Sequence, residues 1–258
     1  MSHAGRSSRR AFAAALLACA GAASLGLAGC GAGSSSSSGA REGDTASAAR
    51  PVPAALANTL RRGNGPEPDS LDPHLARADS AANILRDLYE GLTVLDARGE
   101  PAPGVAERWE VSPDGLTWTF HLREGARWSN GTPVTAQDFA ASWRRLVTPA
   151  TGGQYAQLLA PVVNASEIVA GRAPPESLGV SAPDARTFVV RLRAPTPYFL
   201  ALASHWSTLP VYGAKAPGRA GAAVSNGAFV LADWTVGSHV TARKNPEYWN
   251  AAATRLDE

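Results

Sequence analysis

The sequence predicts a mixed α/β body carried behind an exported N-terminal segment. Short stretches of helical and of strand periodicity alternate along residues 58–258, and Pro, Gly, Asn and Asp clusters separate them. Residues 1–57, in contrast, carry no amphipathic pattern of either period.

The N-terminal reading comes from order of composition. Arg6, Arg9 and Arg10 precede an apolar run over 11–27, and Leu27-Ala28-Gly29 then leads into Cys30. That order resembles a bacterial lipoprotein signal, in which cleavage leaves Cys30 at the new terminus for lipidation. The run is short and weakly apolar for a membrane span. Ser8-Arg9-Arg10-Ala11-Phe12 also fits a twin-arginine export motif. Residues 31–57, with Ser34 to Ser38 at their start, cannot bury enough apolar surface to offset ordering, so they are expected to form a flexible tether.

Residues 58–62 are a strand candidate ahead of the Gly/Pro loop 63–68. Ile84, Leu85 and Leu88 share a face and predict a helix over 80–89, ended by Gly91; Asp79 and Ser80 fit as its cap. A strand follows at 92–95. Leu116, Trp118, Phe120 and Leu122 alternate with polar residues after the turn Ser112-Pro113-Asp114-Gly115, which predicts a half-buried strand hairpinned with 107–111. Thr135 and Asp138 have capping-box spacing before a helix with Phe139, Trp143 and Leu146 on one face, stopped by Pro149. A strand is expected at 187–192, a short helix at 197–202, and a hairpin pairing 227–234 with 240–243 through Gly237-Ser238.

Composition removes several functions. Net charge is +2, partly from the signal arginines, so no basic field for nucleic acid exists. Both cysteines, Cys19 and Cys30, lie in the signal, leaving the body without disulfide or thiol chemistry. No Gly-x-x-x-x-Gly-Lys-Ser/Thr phosphate loop and no Gly-x-Ser-x-Gly turn occur. The histidines His3, His74, His121, His205 and His239 lack metal-ligand spacing, and no cofactor or metal is expected. Glu67 and Asp72 sit in Pro-rich loops and read as turn formers rather than paired acids. Arg144 and Arg145 read as a solvated helix face. Trp128, Tyr155 and Trp206 are candidates for an aromatic platform, although Trp128 fits a core position better.

Four blocks occur in order: Ser70-Leu71-Asp72-Pro73-His74, Pro101 to Glu107, Trp118-Thr119-Phe120-His121-Leu122-Arg123, and Trp128 to Phe139. Leu178-Gly179-Val180, Pro197-Tyr198-Phe199, Ser225-Asn226-Gly227-Ala228-Phe229 and Lys244-Asn245-Pro246-Glu247-Tyr248-Trp249-Asn250 continue the series. Together they resemble the family 5 extracellular solute-binding proteins of ABC importers, from about residue 64 to the end. The blocks themselves read as scaffold.

The resemblance implies a periplasmic-binding-protein type II-like α/β fold, two-lobed with an inserted domain. The base lobe would comprise 58–91 and 213–258 and the inserted domain 92–212, with the second lobe missing, as in a truncated reading frame or fragment. It implies a non-enzymatic, monomeric lipoprotein of the periplasm or cell envelope. This would bind oligopeptide and deliver it to an ABC permease driven by separate ATPase subunits. The alternatives are a dipeptide, nickel chelate or opine as solute, or a sensory lipoprotein without transport.

By the same resemblance Arg77, Ala78 and Asp79 lie along the peptide main chain, and Tyr155 touches the ligand. Backbone pairing suits a binder that accepts many sequences. Arg77 stands where oligopeptide binders of the family carry an acid, and Asp79 where they carry an apolar residue. The segment between Pro210 and Ser225 is shorter than in the family. Cys30→Ala is expected to release the protein from the membrane, since lipid chains would supply the attachment; unchanged fractionation of the variant with membranes would refute lipidation.

Overall fold

The computed structural model describes residues 58–215, 217 and 221–258. The signal, Cys30 and the tether lie outside the described residues. No helix among the described residues is long and apolar enough to cross a membrane.

Helix α1 spans Asp79–Leu88 and buries Ala81, Ala82, Ile84, Leu85 and Leu88, the face its sequence periodicity marks. The expected Asp79-Ser80 cap is not formed. Ala78 occupies the N-cap position without a side-chain bond, while Asp79 in the first turn and Arg86 in the last complement the helix dipole. Strand β1 (Thr93–Leu95) pairs antiparallel with β2 (Pro101–Pro103). Prolines are tolerated there because a two-stranded edge leaves N–H positions unneeded.

Strands β3 (Ala106–Val111), β4 (Thr117–Leu122), β5 (Val180–Ser181) and β6 (Thr187–Arg191) form a four-stranded antiparallel sheet in the order β3-β4-β6-β5. Along β4 Trp118, Phe120 and Leu122 are buried while Thr117, Thr119 and His121 are half-buried, the pleat's period of two. Phe120 lies opposite Phe188 and Trp118 opposite Val190 on β6.

Helix α2 (Ala136–Val147) covers this face. Its capping box is complete, with Thr135 and Asp138 exchanging side-chain and main-chain bonds. Trp143 meets Phe188 edge-on at 5.2 Å and donates Nε1 to the carbonyl of Thr208 at 3.0 Å. Phe199, on α4 (Phe199–Ala203), lies 5.4 Å from Trp118. Helix α3 spans Ala165–Val169. Sequence patterning does not foresee α3 or β5, each being shorter than the window that periodicity needs.

The C-terminal hairpin joins β7 (Phe229–Thr235) to β8 (His239–Lys244), with Gly237 at positive φ in the turn. Residues 58–62 do not form the expected strand. They run irregularly beside the chain end, where Leu60 N–H donates to Glu258 and Asp257 N–H to Asn58. Residues 225–227 join the hairpin to the end of α1. Asn226 donates to the carbonyl of Glu90 at 2.8 Å and accepts from its N–H at 3.1 Å, and Gly227 N–H donates to Leu88.

A Cβ on Gly227 would lie 2.5 Å from the carbonyl carbon of Leu88, whereas one on Gly125 would meet nothing within 4 Å. Gly227→Ala is therefore expected to lower unfolding free energy by about 1–3 kcal/mol through forced backbone displacement. Gly125→Ala should stay within about 0.5 kcal/mol; equal effects of the two in urea titrations would refute this docking.

Candidate functional site

The site begins in a tight loop. The Asp72 carbonyl accepts from the N–H groups of Leu75 and Ala76, and its Oδ1 accepts from His74 N–H at 3.0 Å. The Asp69 carboxylate then receives the N–H groups of Arg77 at 2.9 Å and Ala78 at 3.3 Å. This loop delivers Arg77 and Asp79 to the surface at the start of α1, with Ala78 half-buried between them.

Tyr155 reaches the same place from a different segment. It follows Gly152, in the left-handed region at φ 69°, and Gly153, whose added Cβ would stand 2.5 Å from the Leu146 carbonyl oxygen. Its hydroxyl donates to the carbonyl of Arg77 at 3.2 Å. The four ligand-contact candidates of the sequence, Arg77, Ala78, Asp79 and Tyr155, thus share one surface. The main-chain N–H groups of Arg77 and Ala78 are engaged by Asp69, the Arg77 carbonyl by Tyr155, and the Ala78 carbonyl by the N–H groups of Ala81 and Ala82.

Behind Tyr155 stands an aromatic wall. Trp206 meets Tyr155 edge-on at 5.3 Å and stacks on His205 at 3.8 Å, and the Arg86 guanidinium lies 5.4 Å over the indole. Trp206 is 8% exposed, and its Nε1 is buried with no hydrogen-bond partner. The expected platform therefore divides: Trp128 is fully buried elsewhere, 5.4 Å from Tyr212. His205 and Arg86 were missed as site residues. Their separation in sequence from Tyr155 leaves no local pattern.

Beneath the loop lies a buried charged cluster. Arg145 grips Asp72 in two parallel bonds of 3.0 and 2.6 Å and places Nη1 2.6 Å from Nδ1 of His74. The solvated face expected for Arg144 and Arg145 is thus corrected. Only 14% of the Arg145 side chain is exposed, and Arg144 donates to the carbonyl of Val180. Helical spacing shows which residues share a face but not that an acid from a distant loop awaits them.

His74 is held neutral. Burial, then the Arg145 guanidinium, lowers its pKa to about 4, against a smaller opposing effect of Asp72. His205 is likewise lowered to about 4, by burial first and then by Arg86. Glu67 is no partner acid for Asp72: it accepts from Trp234 Nε1 at 2.7 Å and Gly237 N–H at 2.9 Å.

The exposed segment of Arg77 to Asp79 is thus backed by the aromatic groups of Tyr155, Trp206 and His205. The chain belongs to the bacterial extracellular solute-binding proteins, family 5, whose middle-region model matches residues 100–258. It is 44% identical over 227 residues to the periplasmic oligopeptide-binding protein OppA of Salmonella typhimurium, covering 83% of this chain and 41% of that protein. The Escherichia coli murein tripeptide binding protein MppA superposes with a TM-score of 0.72 at 42% identity, over 74% of this chain and 39% of its own. Haemophilus influenzae OppA, solved in complex with RPPGFSPFR, gives 0.70 at 45% identity over 73% and 38%. The chain thus spans about two fifths of the length of these relatives. The type II-like α/β architecture expected from the sequence is shared with them.

The neutral His74 gives a pH test. The unfolded chain binds a proton near pH 6.5 that the native chain refuses until about 4. Stability is full above 6.5 and falls as pH drops through that window, by up to ~3 kcal/mol. Asp72 and Arg145 face the ring in both measurements, so the difference between wild type and His74→Gln isolates it. His205 contributes over the same window, so His74→Gln should reduce this limb in urea titrations from pH 7 to 4 without abolishing it; an unaltered limb would show that His74 supplies none of it.

Proposed function

We propose that this chain is the peptide-contacting portion of the solute-binding component of an ABC importer. It holds a short peptide along Arg77, Ala78 and Asp79 and against Tyr155. The observation that carries the reading is the 3.2 Å bond from the Tyr155 hydroxyl to the Arg77 carbonyl, which brings the predicted backbone-pairing segment and the predicted contact tyrosine together. Likeness to proteins named for oligopeptide and murein tripeptide binding supports the solute class. Peptide would pass to a permease energised by separate ATPase subunits. The protein would act as a non-enzymatic monomer, held at the periplasmic face of a membrane through Cys30.

In the same reading 58–91 with 213–258 form a base lobe and 92–212 an inserted domain. The four-stranded sheet and α2 to α4 fall within 92–212 and the β7–β8 hairpin within 213–258, which supports that division. A second reading keeps the family but changes the solute. Arg77 and Asp79 favour it, since their exposed side chains alter the charge beside the main-chain track.

Native mass spectrometry of protein purified from a periplasm tests the function. A ladder of heterogeneous short peptides is expected, with Tyr155→Ala weakening their retention about tenfold, the loss of one well-placed aromatic contact. A single non-peptide species would transfer the function to the second reading. Protein that stays empty with peptide libraries would refute solute binding in favour of a non-transport lipoprotein.

A further inference from the structure

We infer that the buried Asp72, His74 and Arg145 cluster is the positioning device of this site, holding its three separate segments in register; the inference rests on the peptide-binding reading above. Each segment is tied close to its site residue. The Arg145 fork clamps Asp72, five residues before Arg77. His74 Nδ1 accepts from Arg145, while its Nε2–H donates to the carbonyl of Leu209 at 3.3 Å, and Leu209 N–H returns to the Trp206 carbonyl. The His74 main-chain carbonyl accepts from Gln154 N–H at 3.3 Å, next to Tyr155. The Arg145 guanidinium, together with the imidazole and the main-chain carbonyl of His74, therefore reaches the loop of Arg77, the turn of Tyr155 and the segment of Trp206.

Stability alone is a poor reason for this arrangement. Desolvating an ion pair offsets much of its attraction, and apolar groups of similar volume would stabilise a core as well or better. What apolar packing lacks is direction. The planar fork accepts one orientation of the carboxylate, and the imidazole, with one donor and one acceptor, fixes two further groups along a line. His74 and Asp72 are buried, at 0% and 6% exposure, so water does not compete for these bonds. Neither residue needs to touch ligand to control where the Arg77 carbonyl and the Tyr155 hydroxyl meet.

Amide exchange of the full chain, read by NMR, tests this without a ligand. The double variant Asp72→Asn/Arg145→Gln removes both charges together and so avoids leaving one buried alone. In it the amides of Arg77, Ala78 and Gln154 should exchange about tenfold or more faster, while those of β4 and β6 keep their rates. Arg145→Lys, which keeps the charge without the fork, should fall between. Peptide affinity should drop in the same order. Uniform acceleration that includes β4 and β6 would reduce the cluster to a general stabiliser, and unchanged rates at the three amides would show that it orders nothing; either result overturns the inference. Wild-type protein that takes no peptide would sink the proposed function, and the exchange pattern would still decide whether the cluster organises this surface.

Discussion

Trp118, Phe120 and Leu122 leave the same face of β4, and the packing of the four-stranded sheet follows from covering them. The strand is central, so its edges are satisfied by β3 and β6 and only its faces remain to be buried. Phe139 and Trp143 of α2, Phe188 of β6 and Phe199 of α4 converge on it at ring separations of 5.2 to 6.5 Å. Tilted and edge-on contacts dominate, as aromatic quadrupoles favour. Because α2 is pinned on this face, Arg145 near its last turn comes to rest beneath the Asp72 loop.

The surface of the body is arranged by buried polar cross-links rather than by more apolar packing. Glu90, past the end of α1, receives Nε1 of Trp249 at 2.7 Å and the hydroxyl of Tyr248, while Arg123 covers the Trp249 ring at 3.9 Å. Burial pushes the Glu90 carboxyl upward, and the Tyr248 and Trp249 donors oppose that shift by stabilising its charge. Asn226 and Asn245 add amide bonds to main-chain groups around the same point. The Lys-Asn-Pro-Glu-Tyr-Trp and Ser-Asn-Gly blocks are therefore neighbours in space: Asn245 donates to the Gly227 carbonyl, and both blocks bond to Glu90.

Elements whose information is local were legible. The α2 cap is written by Thr135 and Asp138, the hairpin turn by Ser112 to Gly115, and the faces of α1 and β4 by their periods. The strand expected at 58–62 was misread because its hydrogen-bond partner is the opposite end of the chain, which confers no periodic signature. The site was half legible. Arg77 to Asp79 and Tyr155 entered through family resemblance and proved to be adjacent. His205 and Arg86 entered only with the coordinates, and Arg145 changed from surface charge to buried anchor.

By itself the sequence determined the α/β class, the apolar face of each long element and the kinship of its ordered blocks. These depend on side-chain periodicity and turn chemistry within a few residues. Only the tertiary structure decided which charges are buried together and which segments form the site. Asp72 and Arg145 lie 73 positions apart, and Tyr155 and Arg77 78. Neither pairing has a periodic trace, because each arises where the packing of α2 against β4 and β6 happens to bring independent loops within hydrogen-bond reach.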